Sequence, residues 1–182
     1  MKVLLDERSR PPLRAVIGAL LASAEEADIA VSRVRIAALD LHADEVAHVR
    51  RCRFLLGRLD AHALGAGAAL GSGSDRRERV GALLRFLRSG NIEVRSAGMC
   101  AWTPDFSIFR GLRGGGDITA ACLIGAHYFY EPPEHGPSFT WAVADAAAVQ
   151  RATLRFEEIW ERSHDTLPAV LHAIEQFSLG VA

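Results

Sequence analysis

The chain contains a single lysine, Lys2, so almost all of its positive charge is carried by arginine. Its 21 basic residues are balanced by 22 acidic ones, which gives a formal net charge of -1 at pH 7. A chain so close to neutrality has no overall electrostatic attraction to nucleic acid or to an anionic membrane. Any such binding would therefore depend on a local patch of arginines.

Cysteine is also scarce, and its pattern excludes several kinds of site. The three cysteines, Cys52, Cys100 and Cys122, are an odd number without Cys-x-x-Cys spacing. That pattern favours neither a disulfide framework nor a zinc site. All three lie in or beside predicted strands, so we expect buried free thiols in a reducing cytoplasm.

Long hydrophobic runs are absent. No run approaches the roughly 18 to 20 apolar residues that cross a bilayer, and the apolar run near Met1 is too short for a signal peptide. We therefore expect a cytoplasmic protein without membrane insertion. Its 182 residues, 49% hydrophobic and 24% charged, fit one globular domain spanning residues 1–182.

The chain is organised around residues 91–145, where four short apolar runs are separated by glycine- and proline-rich segments. We predict that these runs form strands at the centre of a sheet. We expect any active site at the strand ends and in the loop between Gly125 and Gly136. The runs are Asn91–Ser96, Phe106–Gly111, Ile118–Ala126 and Ser138–Asp145.

The first half alternates between helical and strand patterns, which predicts crossover units in a parallel or mixed sheet covered by helices. The fold class expected is therefore α/β, with helices on both faces of a mixed sheet. Three helices are predicted here: one from Pro11 to Glu26, one capped by Asp40 and one from Ser74. A strand follows each of them: Asp28–Ile36, then Phe54–Leu56, which Arg50–Arg53 introduces, and then Ile92–Ser96. Two further helices are predicted to begin at Asp145 and near Pro168.

The order of elements resembles one half-domain of the phospholipase D-like superfamily, also called the HKD phosphodiesterases. The resemblance covers most of the chain in layout. In that family two halves pair to build one site, so the resemblance implies a homodimer for a chain with one half. The matching stretches are Arg85–Arg95, Phe106–Gly111, Cys122–His127 and Phe156–Trp160.

The sequence departs from the family at the residues that carry its chemistry. Thr103 and Asp105 stand where the family has the His and Lys of its His-x-Lys motif. Gly125 is retained, but Ala126 replaces the family serine. The resemblance assigns the histidine as nucleophile and the lysine to phosphate binding, so their loss implies a member without the usual activity.

The loop 127–135 carries the densest set of chemically active side chains. Three interpretations apply to it: a displaced acid–base pair or metal site, a ligand pocket without catalysis, or aromatic packing over the sheet end. We favour packing and expect no metal or cofactor. The catalytic candidates are His127, Glu131, Glu134 and His135, and the binding candidates are Tyr128 and Tyr130.

Arginine also flanks the glycine-rich segment Arg110–Asp117. The segment lacks the spacing of a phosphate-binding loop, and no helix follows it, so a hairpin turn is the favoured interpretation. Arg110 and Arg113 remain candidates for binding a ligand.

Three hypotheses follow for function. The first is a catalytically inactive binding or regulatory module for nucleic acid or a phosphorylated ligand. The second is an active phosphodiesterase or nuclease that uses the loop from His127 to His135. The third is a structural dimerisation domain.

Overall fold

The computed structural model describes residues 2–5, 12–31, 46, 48–57, 74–98, 105–113, 118–125 and 140–178. Several residues singled out from the sequence lie outside these ranges: Thr103, Ala126, Cys100, most of the helix predicted from Asp40, and the loop residues His127, Tyr128, Tyr130, Glu131, Glu134 and His135.

The described strands form one mixed sheet. From edge to edge its order is β1-β7-β6-β5-β2-β3-β4-β8. The neighbours β2, β3 and β4 run parallel, and all other pairs are antiparallel. The strands are β1 (Lys2–Leu5), β2 (Glu26–Val31), β3 (Arg51–Leu56), β4 (Ile92–Ser96), β5 (Phe106–Arg110), β6 (Ala120–Gly125), β7 (Thr140–Val143) and β8 (His164–Asp165).

Four helices in the described ranges cover the two faces of this sheet unequally. The helices are α1 (Leu13–Ser23), α2 (Ser74–Leu87), α3 (Ala146–Glu161) and α4 (Leu167–Ser178). Buried residues of α1, α2 and α4 belong to one hydrophobic cluster, and those of α3 belong to another on the opposite side. We call these sides the three-helix face and the α3 face.

Side-chain alternation along each strand explains the two clusters. In β2, Ile29 faces the three-helix cluster and Ala30 faces the α3 cluster; in β3, Phe54 and Leu55 divide in the same way. A strand buried on both faces must be apolar at nearly every position, which is the pattern of a central parallel strand. Most of the continuous apolar runs in the sequence therefore mark the middle of the sheet.

The turn after β5 requires a glycine. Gly111 has a φ of +66°, and a Cβ at this position would lie 2.9 Å from the Cβ of Glu25. The backbone N–H of Leu112 then donates to the carbonyl of Thr119, 3.1 Å away, which begins the antiparallel return into β6. The hairpin interpretation of this segment is confirmed, although residues 114–117 lie outside the described ranges.

Several predicted boundaries are confirmed. The strand Ile92–Ser96 has the predicted bounds, and the strand Phe106–Arg110 lies within the predicted run Phe106–Gly111. Asp145 caps α3, since its carboxylate accepts a hydrogen bond from the N–H of Ala148 at 2.9 Å. The helix α2 begins at Ser74 and ends at Leu87, before Gly90 with its φ of +85°.

Two predicted boundaries are wrong. The first helix does not reach Glu26: it ends at Ser23, and Glu26 already begins β2. Arg53 does not introduce β3 but lies inside it, opposite Asp28 of β2. In both places charged residues suggested a break, and the strand instead contains them because they form ion pairs.

The described part of the chain bears on two broader expectations. None of its helices combines the length and apolar character needed to cross a bilayer. Cys52 and Cys122 are both buried free thiols. Burial raises the pKa of the Cys52 thiol, and the nearby charge of Asp28 raises it further.

Candidate functional site

Strand ends that the sequence separates widely meet at one edge of the sheet. The parallel strands β2, β3 and β4 end there, β6 ends there, and β5 and β7 begin there. Hydrogen bonds from Gly57 N–H to the Val31 carbonyl (3.0 Å) and from Ala97 N–H to the Leu56 carbonyl (3.0 Å) align the three parallel ends. We call this the motif edge, because Asp105 and Gly125 lie on it.

Asp105 and Gly125 are direct neighbours at the motif edge. The N–H of Gly125 donates to the backbone carbonyl of Asp105 at 2.9 Å. Asp105 is only 8% exposed. The two described residues of the predicted motif are therefore brought together, while Thr103 and Ala126 lie outside the described ranges.

The motif edge also carries buried polar side chains on the three-helix face. Ser107 and Asp105 share the face of Phe109 on β5, because alternate residues of a strand point to the same side. Thr140 of β7 and Ser96 of β4 point to this face as well, and all four are buried. The cluster supplies hydroxyls and one carboxylate, and these described residues contribute no cation.

Such a cluster has limited chemistry toward phosphate. A carboxylate repels the phosphate oxygens that a lysine in the same place would attract. A hydroxyl needs an adjacent base before it becomes a useful nucleophile. Among the described residues, no group of three or more His, Cys, Asp or Glu side chains is arranged to hold a metal ion.

A second polar system lies under α3 and was not predicted from the sequence. Arg53 is 4% exposed and Asp28 is 2% exposed. The guanidinium donates to both oxygens of Asp28, at 2.6 and 2.8 Å, and to both oxygens of Glu157 on α3, at 3.0 and 2.6 Å. Arg110 of β5 also pairs with Asp28. We call these four residues the buried ion network.

Aromatic rings complete the surroundings of Arg53. Its guanidinium carbon lies 4.8 Å from the ring centre of Phe156 and 5.2 Å from that of Trp160. Burial by itself would lower the pKa of Arg53, but hydrogen bonds to Asp28 and Glu157 outweigh it and raise that pKa. The guanidinium is thus held charged inside the protein and joins β2 and β3 to α3.

The sequence did contain a signal for this network. Asp28 and Arg53 are each followed directly by an apolar run, Ile29–Val31 and Phe54–Leu56, and a charge that lies in a buried strand is usually paired. What the sequence lacked was the register that places residue 28 opposite residue 53. Glu157 lies on a helix that follows much later in the chain.

The edge opposite the motif edge is rich in arginine. It is defined by Arg50, Arg51, Arg110 and Arg113, and we call it the arginine edge. Three of these residues pair with glutamates: Arg50 with Glu26, Arg51 with Glu93 at 2.9 Å, and Arg113 with Glu25 at 3.1 Å. Arg110 joins Asp28 and also approaches Glu26 at 3.6 Å.

The two binding candidates predicted near the hairpin, Arg110 and Arg113, thus lie on the arginine edge. Asp105 lies at the other end of β5 from Arg110, roughly 16 Å away at the rise of an extended strand. Asp105 and these arginines therefore do not form one site. An open groove of about 370 Å³ lies on the arginine edge, lined by Glu26, Arg50, Arg51, Gly90, Asn91 and Glu93.

Comparison with known proteins gave no match to a protein-family model. A search of curated proteins also found no significant match.

Solved structures do match the fold. Nuc, a phospholipase D family member from Salmonella typhimurium, has a TM-score of 0.60 at 9% identity, covering 91% of this chain and 97% of Nuc. NucT from Helicobacter pylori has a TM-score of 0.57 at 10% identity, covering 91% of this chain and 98% of NucT.

A third match is to TrmBL2, an archaeal chromatin protein whose structure shows a novel mode of DNA binding. The TM-score is 0.53 at 14% identity, over 90% of this chain, which spans only about half (53%) of TrmBL2.

Together these matches establish a phospholipase D-like α/β fold. The chain spans nearly the whole of Nuc and of NucT. A shared fold does not by itself carry an activity.

Proposed function

We propose that this chain is a nucleic-acid-binding module of phospholipase D-like fold that does not hydrolyse phosphodiesters. One observation carries the proposal. At the start of β5, where the family resemblance expects a phosphate-binding lysine, the chain has Asp105, buried and adjacent to Gly125. A carboxylate at this point opposes the binding of a phosphate for in-line attack.

Nucleic acid is the ligand class that one of the structural comparisons and the arginines of the arginine edge favour. TrmBL2, which shares the fold, is described as a DNA-binding chromatin protein. The chain also gathers four arginines on one edge, and the planar guanidinium is well suited to bidentate contact with phosphate.

We propose that residues 1–182 act as one domain in the cytoplasm.

The test combines binding and turnover on the same protein. Binding of a fluorescently labelled DNA duplex, measured by anisotropy, is expected at low salt. With three phosphate contacts, affinity should fall about 40-fold between about 50 and about 200 mM salt, because bound counterions are released. Hydrolysis of DNA, RNA and bis(p-nitrophenyl) phosphate, with and without divalent metal, is expected to stay at the level of buffer.

Two results would contradict the proposal, and they do so differently. Absence of binding to DNA and RNA at low salt removes the nucleic-acid function and favours a structural dimerisation domain. Turnover that disappears in a His127→Ala variant shows instead an active phosphodiesterase that uses the loop at 127–135. Turnover that persists in the His127→Ala variant also contradicts the proposal and shows that the nucleophile is a residue other than His127.

We also propose that the chain forms a homodimer. The proposal rests on the single phospholipase D-like unit and on the resemblance, in which two units build one site. The mass of one chain is 19.7 kDa. Light scattering coupled to size-exclusion chromatography at micromolar concentration is expected to give twice that mass. A monomer at that concentration would count against the proposal.

A further inference from the structure

We propose that the arginine edge is the surface that contacts the phosphate backbone, and that its glutamates hold this surface in a state of reduced affinity. This inference rests on the proposed nucleic-acid binding and names the surface responsible for it. We therefore expect that removing the negative charge of a glutamate on this edge, such as Glu93, raises the affinity for DNA.

Exposure and position favour this edge. The side chains of Arg50 and Arg113 are 74% and 78% exposed, and that of Arg51 is about half exposed. They lie at the start of β3 and just after the end of β5, and these two strands are separated only by β2. Strands lie about 4.8 Å apart, so these guanidinium groups can reach a few neighbouring phosphates of one duplex.

The present partners of these arginines are weak competitors. An exposed ion pair between arginine and glutamate contributes little, because water and salt screen it and two flexible side chains must be held together. A phosphate accepts a bidentate, charge-assisted pair from the same guanidinium, and it arrives on a polyanion that releases counterions. Exchange of carboxylate for phosphate at this surface is therefore favourable at low salt.

The groove provides a concave place for that exchange. Arg50 and Arg51 form part of its lining, and Gly90 adds no side chain: a Cβ there would meet nothing within 4 Å. The Asn91 amide is held by its hydrogen bond to the Val49 carbonyl at 2.7 Å. Two opposite charges remain in the same groove, Glu26 and Glu93.

Those two glutamates make the surface nearly neutral. A phosphate that approaches Arg51 also approaches the carboxylate bound to it, and the repulsion cancels part of the attraction. The glutamates thus act as built-in competitors for the arginines. Removing the negative charge of Glu93 while keeping its shape should leave Arg51 free for the phosphate.

The experiment measures DNA affinity and its salt dependence for paired variants. Arg51→Ala is expected to weaken binding about three- to tenfold and to reduce the salt slope by about one. Glu93→Gln is expected to tighten binding about threefold, because the exposed ion pair with Arg51 no longer competes with the phosphate. All changes are on exposed side chains, and unfolding curves confirm that each variant is folded.

A matched pair on α3 controls for overall charge. Arg162 is as exposed as Arg113 and pairs with the exposed Glu158 at 3.4 Å, and neither residue lines the groove. Arg162→Ala and Glu158→Gln change the net charge by the same amounts as the groove variants. They are expected to leave DNA affinity within about twofold, because exposed charges that do not contact the phosphates are largely screened.

The outcomes separate this inference from the proposed function. If the unmodified protein binds DNA but Arg51→Ala and Glu93→Gln behave like their α3 controls, the arginine edge is not the contact surface and the proposed function stands. If Glu93→Gln weakens binding, the competitor role is wrong. If the unmodified protein binds no nucleic acid at low salt, both proposals fall.

Discussion

Replacing Arg53 with alanine is expected to lower the free energy of unfolding by about 3 to 5 kcal/mol. The substitution leaves Asp28 charged and 2% exposed, with Arg110 as its remaining described cation. It also removes the link between the sheet and Glu157, and the stacking of the guanidinium on Phe156 and Trp160. The largest of these costs is a buried carboxylate that keeps Arg110 but loses the two hydrogen bonds from Arg53.

Urea unfolding followed by circular dichroism measures this loss. The matched control is Arg155→Ala, which breaks an exposed pair with Glu158 on α3 and should shift the urea midpoint far less, because water screens that pair. Equal losses for the two variants would show that the buried ion network is no more important than a surface pair.

A double replacement distinguishes the charge effect from lost packing. Asp28→Leu combined with Arg53→Met removes both charges and fills the site with apolar volume. Such replacements of buried ion pairs are often neutral or stabilising, so the double variant should recover most of the loss. A double variant as unstable as Arg53→Ala would indicate that shape, not charge, governs the site.

Replacing Phe156 with alanine should cost a similar amount, about 3 to 5 kcal/mol, by a different mechanism. Phe156 is completely buried on the α3 face. Its ring meets Phe106 edge-on at 6.3 Å between centres and stacks on Trp160 at 5.5 Å. Truncation leaves a cavity under α3 and removes the aromatic surface beside Arg53.

The control for this change lies two residues earlier on the same helix. Leu154 is 64% exposed, so Leu154→Ala should change stability by less than about 0.5 kcal/mol. Phe156→Leu should cost clearly less than Phe156→Ala, because it refills part of the cavity. If Phe156→Ala and Leu154→Ala shift the urea midpoint equally, α3 does not depend on its buried face.

Local signals were sufficient for much of the fold. The strand Ile92–Ser96 follows a helix stop at Ser89–Asn91, and the strand Phe106–Arg110 precedes a glycine turn. In both cases residues that end a helix or form a turn lie next to the strand and mark its limit. The capping carboxylate of Asp145 acts on the helix that immediately follows it. Each of these signals depends only on neighbours in the chain.

Interactions between distant residues could not be predicted in the same way. The sequence pattern places Arg53 in a charged lead-in to the strand, because Arg50, Arg51 and Arg53 lie within four residues. The register of β2 against β3 decides which of these arginines is buried. Arg53 lies opposite Asp28 and is buried, whereas Arg50 and Arg51 are exposed and pair with glutamates. The neutrality of the arginine edge has the same origin.

For the candidate site, the sequence and the fold agree on place. The family resemblance put Asp105 and Gly125 at matching ends of two strands, and the antiparallel pairing of β5 and β6 brings them together. The chemistry of that place depends also on Thr103, Ala126 and the loop at 127–135, which remain predictions from the sequence.

The pairing of the first strand has a consequence for the order of events during synthesis. β1 precedes the other described strands in the chain, yet its partner is β7, which leaves the ribosome only after β2 to β6. Until then a short apolar segment has no edge to join and is open to other chains or chaperones. Closure of this edge is therefore expected late, and the nascent protein should resist proteolysis at residues 2–5 only once β7 has emerged.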